Sequence, residues 1–212
     1  MPYHPPVDDG QCTFRCTLFC APELSTQIGP NWITKKARNL LPELTLIIGG
    51  AASGKSRLAE TLAENHGNTK LYVATAQIFD EEMAQKVAQH QDRRLSGWHT
   101  IEAPLNAADA LRQAAADIVL FDCATLWLSN HMLSEGTDLG AAQADLLDAL
   151  KNCACPVIVV TNEVGEGIVP ENALARRFRE AQGRLNIALA EQSILAIKVT
   201  AGLPQVLKGQ MP

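Results

Sequence analysis

The sequence predicts an α/β fold with a mostly parallel sheet, and three observations carry that expectation. Short apolar runs at residues 44–48, 71–74, 118–121, 157–160 and 194–199 alternate with helical stretches, as they do when helices cover both faces of a parallel sheet. A glycine-rich segment stands between the first run and the first helix. Gly49, Thr75, Asp122 and Asn162 each follow a run directly, at the strand ends where ligands sit in such a sheet. Composition agrees: apolar residues are 47%, enough for a full core, and aromatics only 5%, so that core is aliphatic. The charged fraction of 19% argues against disorder or a coiled coil. A net charge of −5 supplies no general attraction for nucleic acid or anionic lipid. No apolar run approaches the ~18–20 residues of a membrane span.

Taken in order, residues 1–43 form an irregular lead. Pro2, Pro5, Pro6, Gly10, Pro22, Gly29 and Pro30 break any period there. The lead carries Cys12, Cys16 and Cys20, three thiols where structural zinc wants four ligands, with His4 the only nearby histidine. Metal binding or an incidental tail are both open readings. A basic segment followed by an apolar one does not open the chain, so a cytoplasmic location with reduced thiols is expected.

The domain is expected over residues 44–212. The strand at 44–48 leads through Gly49 and Gly50 to a helix from Lys55 to about residue 65. After the 71–74 strand, Asp80 can cap a helix continuing to about residue 94, with Met83 and Val87 at helical spacing. Residues 98–102 read as a strand and Asn106 as the cap of the Ala-rich helix that follows. The 118–121 strand ends in Asp122. Helices fill 125–133 and 139–151, with Gly136 and Gly140 interrupting between them. The 157–160 strand ends at Thr161-Asn162-Glu163. A loop holding Gly165, Gly167 and Pro170 leads to an amphipathic helix over 171–192, and 194–199 is the last expected strand.

The chemistry starts at Gly49-Gly50-Ala51-Ala52-Ser53-Gly54-Lys55-Ser56, a G-x4-G-K-S phosphate loop placed between a strand and a helix. Such a match arises by chance in roughly one chain of this length in a hundred. Its backbone N–H groups curl around a phosphate, aided by the positive end of the helix. Lys55 neutralises β and γ oxygens, and the Ser56 hydroxyl is a ligand for Mg2+. The loop predicts a P-loop protein that binds a nucleoside triphosphate. Asp122 at a strand end suits the second role at Mg2+, holding the ion through water; the bland alternative is a helix cap. A guanine-reading N-K-x-D is absent, and no Arg-rich lid stands out.

Further blocks carry a resemblance. They are Tyr72-Val73-Ala74-Thr75-Ala76-Gln77, then Asp80-Glu81-Glu82-Met83 with His90 and Arg94 downstream, and Trp98-His99-Thr100-Ile101-Glu102. Asp122-Cys123-Ala124-Thr125-Leu126-Trp127-Leu128-Ser129-Asn130 follows, and then Thr161-Asn162-Glu163-Val164-Gly165-Glu166-Gly167-Ile168-Val169-Pro170. Together with the phosphate loop, and in this order over residues 44–202, they resemble the bifunctional adenosylcobinamide kinase and adenosylcobinamide-phosphate guanylyltransferase family of cobalamin biosynthesis. The N-E-V-G-x-G-I-V-P block is the most specific of them, and residues 1–43 have no counterpart.

The resemblance implies a RecA-like P-loop fold and two reactions. A nucleoside triphosphate, ATP or GTP, phosphorylates the hydroxyl of adenosylcobinamide. GTP then donates GMP to adenosylcobinamide phosphate through a GMP-histidine intermediate, with Mg2+ as cofactor. His90 matches that histidine. Read from the residues alone, His90 continues the apolar face of Met83 and Val87 and could equally be a histidine packed at the core's edge. A neutral imidazole is nonetheless a competent nucleophile at phosphorus near pH 7.

By position the resemblance assigns Ala74, Thr75, Ala76, Gln91, Asp92, Arg93, Arg94 and Glu102 to nucleotide contact. It also implies a homotrimer, with no nucleic-acid partner. Ala52 departs from the pattern, standing where many relatives carry Arg. His66, His99 and His131 read as surface or structural, and most of Arg176, Arg177, Arg179 and Arg184 as a solvated helix face. Glu163 could orient a substrate hydroxyl or simply hold its loop. Two rival functions remain at this level: an enzyme that keeps only guanylyl transfer, and a nucleotide-gated binding protein.

Overall fold

The computed structural model describes residues 41–77 and 96–212. The expected helix over about 80–94 and the lead up to residue 40, with its three cysteines, lie outside the described residues. Strand β1 (Leu44–Gly49) runs into the phosphate loop and helix α1 (Lys55–His66). β2 (Lys70–Ala74), β3 (Trp98–Glu102) and the short α2 (Ala107–Arg112) follow, then β4 (Ile118–Asp122) with α3 (Ala124–Leu133) and α4 (Leu139–Lys151). β5 (Val157–Asn162), the long α5 (Ala173–Gln192), β6 (Leu195–Thr200) and β7 (Leu203–Lys208) complete the chain.

The strands form one seven-stranded sheet in the order β3-β2-β4-β5-β1-β6-β7. Every pair is parallel except β6–β7. β5 is inserted between the phosphate-loop strand β1 and the strand β4 that ends in Asp122, which is the RecA-like order. Period-two alternation divides the strand side chains between two cores. One face of β1 and β4 packs Leu46, Val119 and Phe121 with Trp127 of α3, Leu146 of α4 and Leu185 of α5. The other packs Ile47, Leu120, Ile158 and Val160 against Ala59 and Ala63 of α1. Alanine on α1 lets that helix sit close to the sheet, which fixes where its N-terminus meets the end of β1.

Strand β7 was not expected. β6 and β7 are joined by Ala201 and Gly202, both at positive φ (52° and 80°), the two-residue hairpin turn whose twist suits flanking strands. Ala at a left-handed position and Pro204 inside the strand both argue against a strand when read locally. Its position on the sheet edge tolerates the proline.

Two helices start where expected but differ in detail. Asn106 occupies the cap position of α2, but its side chain makes no capping bond and the helix is short. Gly140 does not interrupt α4: it lies in the first turn, after Asp138 caps the helix by accepting the Ala141 N–H at 3.0 Å. Among the described residues no helix is long and apolar enough to cross a membrane.

At the edge away from the phosphate loop, Lys70 is buried against Glu64 at 3.0 Å, and Glu64 also accepts from Trp98 Nε1 at 2.6 Å. These contacts anchor the start of β3. Leu41, also buried, donates its N–H to His66 Nδ1 at 3.3 Å at the end of α1.

Candidate active site

The phosphate loop owes its shape to two glycines with different reasons. Gly54 sits at φ 94°, and a Cβ there would also lie 3.2 Å from Gly202 Cα in the β6–β7 turn. Gly49 has no unusual φ, but a Cβ would come 2.5 Å from the Val199 carbonyl oxygen and 2.6 Å from Ser53 Oγ. The loop is pinned from both sides: Glu163 N–H donates to the Gly49 carbonyl at 3.1 Å and Gly202 N–H to the Ser53 carbonyl at 2.8 Å. The unexpected hairpin therefore buttresses the loop. Ala52 also takes positive φ, 54°, at the exposed tip. Gly54 caps α1 without any side-chain bond, so the N–H groups of the first turn remain available to an anion. Lys55 Nζ lies beside the loop and donates to the Gly50 carbonyl at 3.1 Å.

Across the sheet edge, the register aligns Ala74 with both Glu102 and Asp122. Glu102, Ala74 and Asp122 thus form one row at the strand ends, while Gly49 pairs with Asn162. Asp122 is not a helix cap. That position belongs to Cys123, whose Sγ accepts the Leu126 N–H at 3.4 Å, while Asp122 Oδ2 accepts from the Tyr72 hydroxyl at 3.2 Å. Burial, with the Asp122 charge adding to it, pushes the Cys123 thiol up to about 12, so it stays protonated and takes no part as a nucleophile. The same thiol feels the positive charge of Lys55. Lys55, Asp122 and Cys123 share one electrostatic neighbourhood.

Thr75 is fully buried. Its hydroxyl donates to the Cys123 carbonyl and accepts the Cys123 N–H, both at 2.8 Å, and its carbonyl accepts from Asn130 Nδ2 at 2.9 Å. The side chain is a clamp holding the β4–α3 turn, and the backbone is tied as well, the Thr75 N–H donating to the Asp122 carbonyl at 3.3 Å. His90, Gln91, Asp92, Arg93 and Arg94 lie outside the described residues. His66 and His131 are structural. His131 Nε2 lies 3.1 Å from the Leu105 carbonyl, and its ring packs against Trp127 at a centroid distance of 4.4 Å, tilted by 55°.

The loop after β5 is held by arginines rather than fringed by them. Arg179 bonds the carbonyls of Gly165 and Ile168, and Arg176 those of Pro170 and Glu171. Arg176 stays exposed, as a solvated face has it, and Arg179 is half-buried; both are tied down because the preceding loop folds back over the start of α5 and leaves carbonyls to be satisfied. Arg184 keeps a surface pairing with Glu180 at 3.6 Å. Glu163 Oε1 accepts the Gly165 N–H at 2.5 Å, and Lys198 pairs with Glu166.

Beneath the end of β5, sequence reading missed a polar network. Thr161 donates to Asn186 Oδ1 at 2.8 Å, Gln182 donates to both of them, and Asn186 Nδ2 donates to the Asn162 carbonyl at 3.1 Å. The one available signal was polar residues spaced i, i+4 on an apolar helix face.

A phosphate loop with lysine and a strand-end carboxylate on one sheet edge suits phosphoryl or nucleotidyl transfer. Residues 45–207 match the family described as cobinamide kinase / cobinamide phosphate guanyltransferase. The chain belongs to this family. It is 44% identical to the bifunctional adenosylcobalamin biosynthesis protein CobP of Pseudomonas aeruginosa, over 78% of this chain and 97% of that one. To the protein CobU of Salmonella typhimurium, also named bifunctional, it is 37% identical over 78% and 99%. Among solved structures, the RadB recombinase aligns over 75% of each chain with 19% identity and a TM-score of 0.45. As a member of the family, the chain is a cobinamide kinase and cobinamide-phosphate guanylyltransferase.

Proposed function

We propose that the chain phosphorylates adenosylcobinamide at the phosphate loop and then guanylylates the product through a covalent GMP on His90. In the kinase step, the substrate hydroxyl oxygen attacks the γ-phosphorus and the bond to the departing diphosphate breaks. Loop N–H groups and Lys55 neutralise charge on the β and γ oxygens. In the transfer step, one imidazole nitrogen of His90 attacks the α-phosphorus of GTP, and pyrophosphate leaves with the electron pair of the broken P–O bond. A phosphate oxygen of adenosylcobinamide phosphate then attacks the same phosphorus and the N–P bond breaks, restoring the imidazole.

The donor set fits Mg2+. Ser56, half-buried in the first turn of α1, offers a hydroxyl and Asp122 a carboxylate: hard oxygen ligands that would hold this ion with waters and substrate phosphates. Mg2+ so held supplies charge neutralisation on the phosphate oxygens. Gln91, Asp92, Arg93, Arg94 and Glu102 complete the nucleotide contacts, two arginines suiting phosphate. A homotrimeric assembly and a cytoplasmic location accompany the reading.

One observation carries it: the pinned phosphate loop and the Asp122 row on the same sheet edge, in a chain whose family match runs from residue 45 to 207. The test is incubation with α-labelled GTP and Mg2+, then denaturing electrophoresis. An acid-labile, alkali-stable label present in wild type and lost in His90→Ala is expected. A folded, active wild type that takes up no label would sink the histidine step.

A further inference from the structure

The strand-end carboxylate of Asp122 is backed by an aromatic residue from the neighbouring strand. Register sets Ala74 beside Asp122 and Tyr72 beside Leu120, so Tyr72 lies one pleat below Asp122 on the adjacent strand. Tyr72, Leu120 and Ile47 share the core on the α1 side of the sheet. Alternation brings Asp122, two residues beyond Leu120, to that same face. Diagonal neighbours on one sheet face stand about 7–8 Å apart, a gap that an aromatic side chain spans. The Tyr72 hydroxyl closes it, donating to Asp122 Oδ2 at 3.2 Å.

The ring that carries this hydroxyl is itself held in place. Tyr72 is buried, and Trp98 of β3 meets it edge-on, with 6.2 Å between ring centroids and 72° between planes. Trp98 is pinned in turn. Its Nε1 donates to Glu64 of α1 at 2.6 Å, and Lys70, paired with the same Glu64 at 3.0 Å, places its Nζ 5.9 Å from the Trp98 ring. A line of side chains therefore runs from α1 through β3 and β2 to the end of β4. Such fixity matters at a carboxylate, because the torsion that turns its plane is soft and has no sharp rotamer. A fixed donor on one oxygen selects one plane. A backbone carbonyl would satisfy a buried hydroxyl equally well. Here the hydroxyl is given to a carboxylate on the phosphate-loop edge of the sheet.

We infer that Tyr72 is a positioning residue for the metal site, its hydroxyl setting the plane in which the Asp122 carboxylate meets Mg2+ and its waters. Removing a hydrogen-bonded partner from behind a metal-holding side chain typically weakens the metal about 10- to 100-fold. The inference rests on the reading of Asp122 as a metal-holding residue and adds the residue that orients it.

The test compares wild type, Tyr72→Phe, Asp122→Asn and the double variant by calorimetric titration of an ATP analogue with a non-cleavable β,γ bridge. Each is titrated once in Mg2+ and once in EDTA, and the ratio of the two affinities measures what the ion adds. Tyr72→Phe should bind the analogue in EDTA within about threefold of wild type, while its Mg2+-to-EDTA ratio falls about tenfold. The ratio should fall at least as far in Asp122→Asn and no further in the double variant, because the hydroxyl acts only through that carboxylate. A hydroxyl that merely satisfies itself in the core leaves the ratio where it was. A Tyr72→Phe ratio within about twofold of wild type, equal losses in Mg2+ and EDTA, or a further loss in the double variant would each overturn the inference. So would failure of Tyr72→Phe to fold, since that gives the hydroxyl a structural task. A wild-type ratio in Asp122→Asn would instead refute the metal reading of Asp122 itself, whatever Tyr72→Phe does.

Discussion

Substituting alanine at each of two adjacent glycines of the phosphate loop separates packing from chain freedom. A methyl at Gly49 would sit 2.5 Å from the Val199 carbonyl oxygen and 2.6 Å from Ser53 Oγ. Ordinary carbon–oxygen contact is near 3.3 Å, so something must yield by roughly 0.8 Å. The serine rotor can turn away, but the carbonyl belongs to β6, which is paired to β1 on one side and β7 on the other. The strain must then pass into the loop. Overpacking of this kind costs about 1–3 kcal/mol, which lowers the melting temperature by about 2–12 °C in a domain of this size. Displacing the phosphate cradle by most of an ångström should also cost about 100-fold in turnover.

Gly50 is the control, because a methyl there meets nothing within 4 Å. Gly50→Ala should melt within about 1 °C of wild type. Gly54→Ala should behave like Gly49→Ala for another reason, a left-handed φ of 94° that costs about 1–2 kcal/mol beside Gly202. Thermal unfolding by circular dichroism and titration with ADP read both effects. If Gly49→Ala melts with Gly50→Ala, the close approach to β6 is not what requires glycine at that position.

Three other outcomes follow from local structure. Thr75→Val keeps the shape of the side chain but orphans the buried Cys123 N–H, and should cost about 1–3 kcal/mol in urea unfolding. Backbone N–H groups of Thr69 and Asn68 hold the Asp117 carboxyl below the ordinary carboxylate range. Its contribution is therefore full above the unfolded-state value near ~3.9 and is lost as pH falls through the lower folded value. Asp117→Asn should destabilise at neutral pH, with the gap to wild type closing in acid; a gap constant from pH 7 to pH 2 would contradict the assignment. With its thiol near 12, Cys123 carries about one part in ten thousand thiolate at pH 8. Iodoacetamide should therefore leave it unmodified until denaturant is added, as peptide mass mapping would show, whereas half-exposed Cys153 reacts before it.

Element order was legible because the signals were local. Apolar runs, a glycine loop and helical spacing each occupy a few consecutive residues, and β1 to β6 follow from them. β7 was not legible: its evidence is the β6 edge it pairs with, while Ala201 and Pro204 point away from a strand. The phosphate loop and Asp122 could be read from the chain. The partners that place them could not, since Tyr72, Thr75 and Gly202 act on residues about 50 to 150 positions distant. The arginines of α5 show the same limit in reverse. Their spacing is that of a solvated face, and only the return of the 163–171 loop gives Arg176 and Arg179 carbonyls to hold.

The strand order itself sets the scale of the site. With β5 between them, β1 and β4 stand two strand spacings apart, about 10 Å, so the phosphate loop and the Asp122 carboxylate cannot touch across the sheet edge. That gap is wide enough for phosphates and a hydrated cation, and it is floored by whatever ends β5. A large apolar residue there would fill it, and a charged one would compete with Lys55 or Asp122 for the same oxygens. Asn162 is polar, small and neutral. Thr161, one residue earlier, faces the opposite side and ties the strand to α5 through Asn186 and Gln182. The inserted strand thus uses its two last side chains differently, Thr161 to tie it to α5 and Asn162 on the face shared with Gly49 and Asp122.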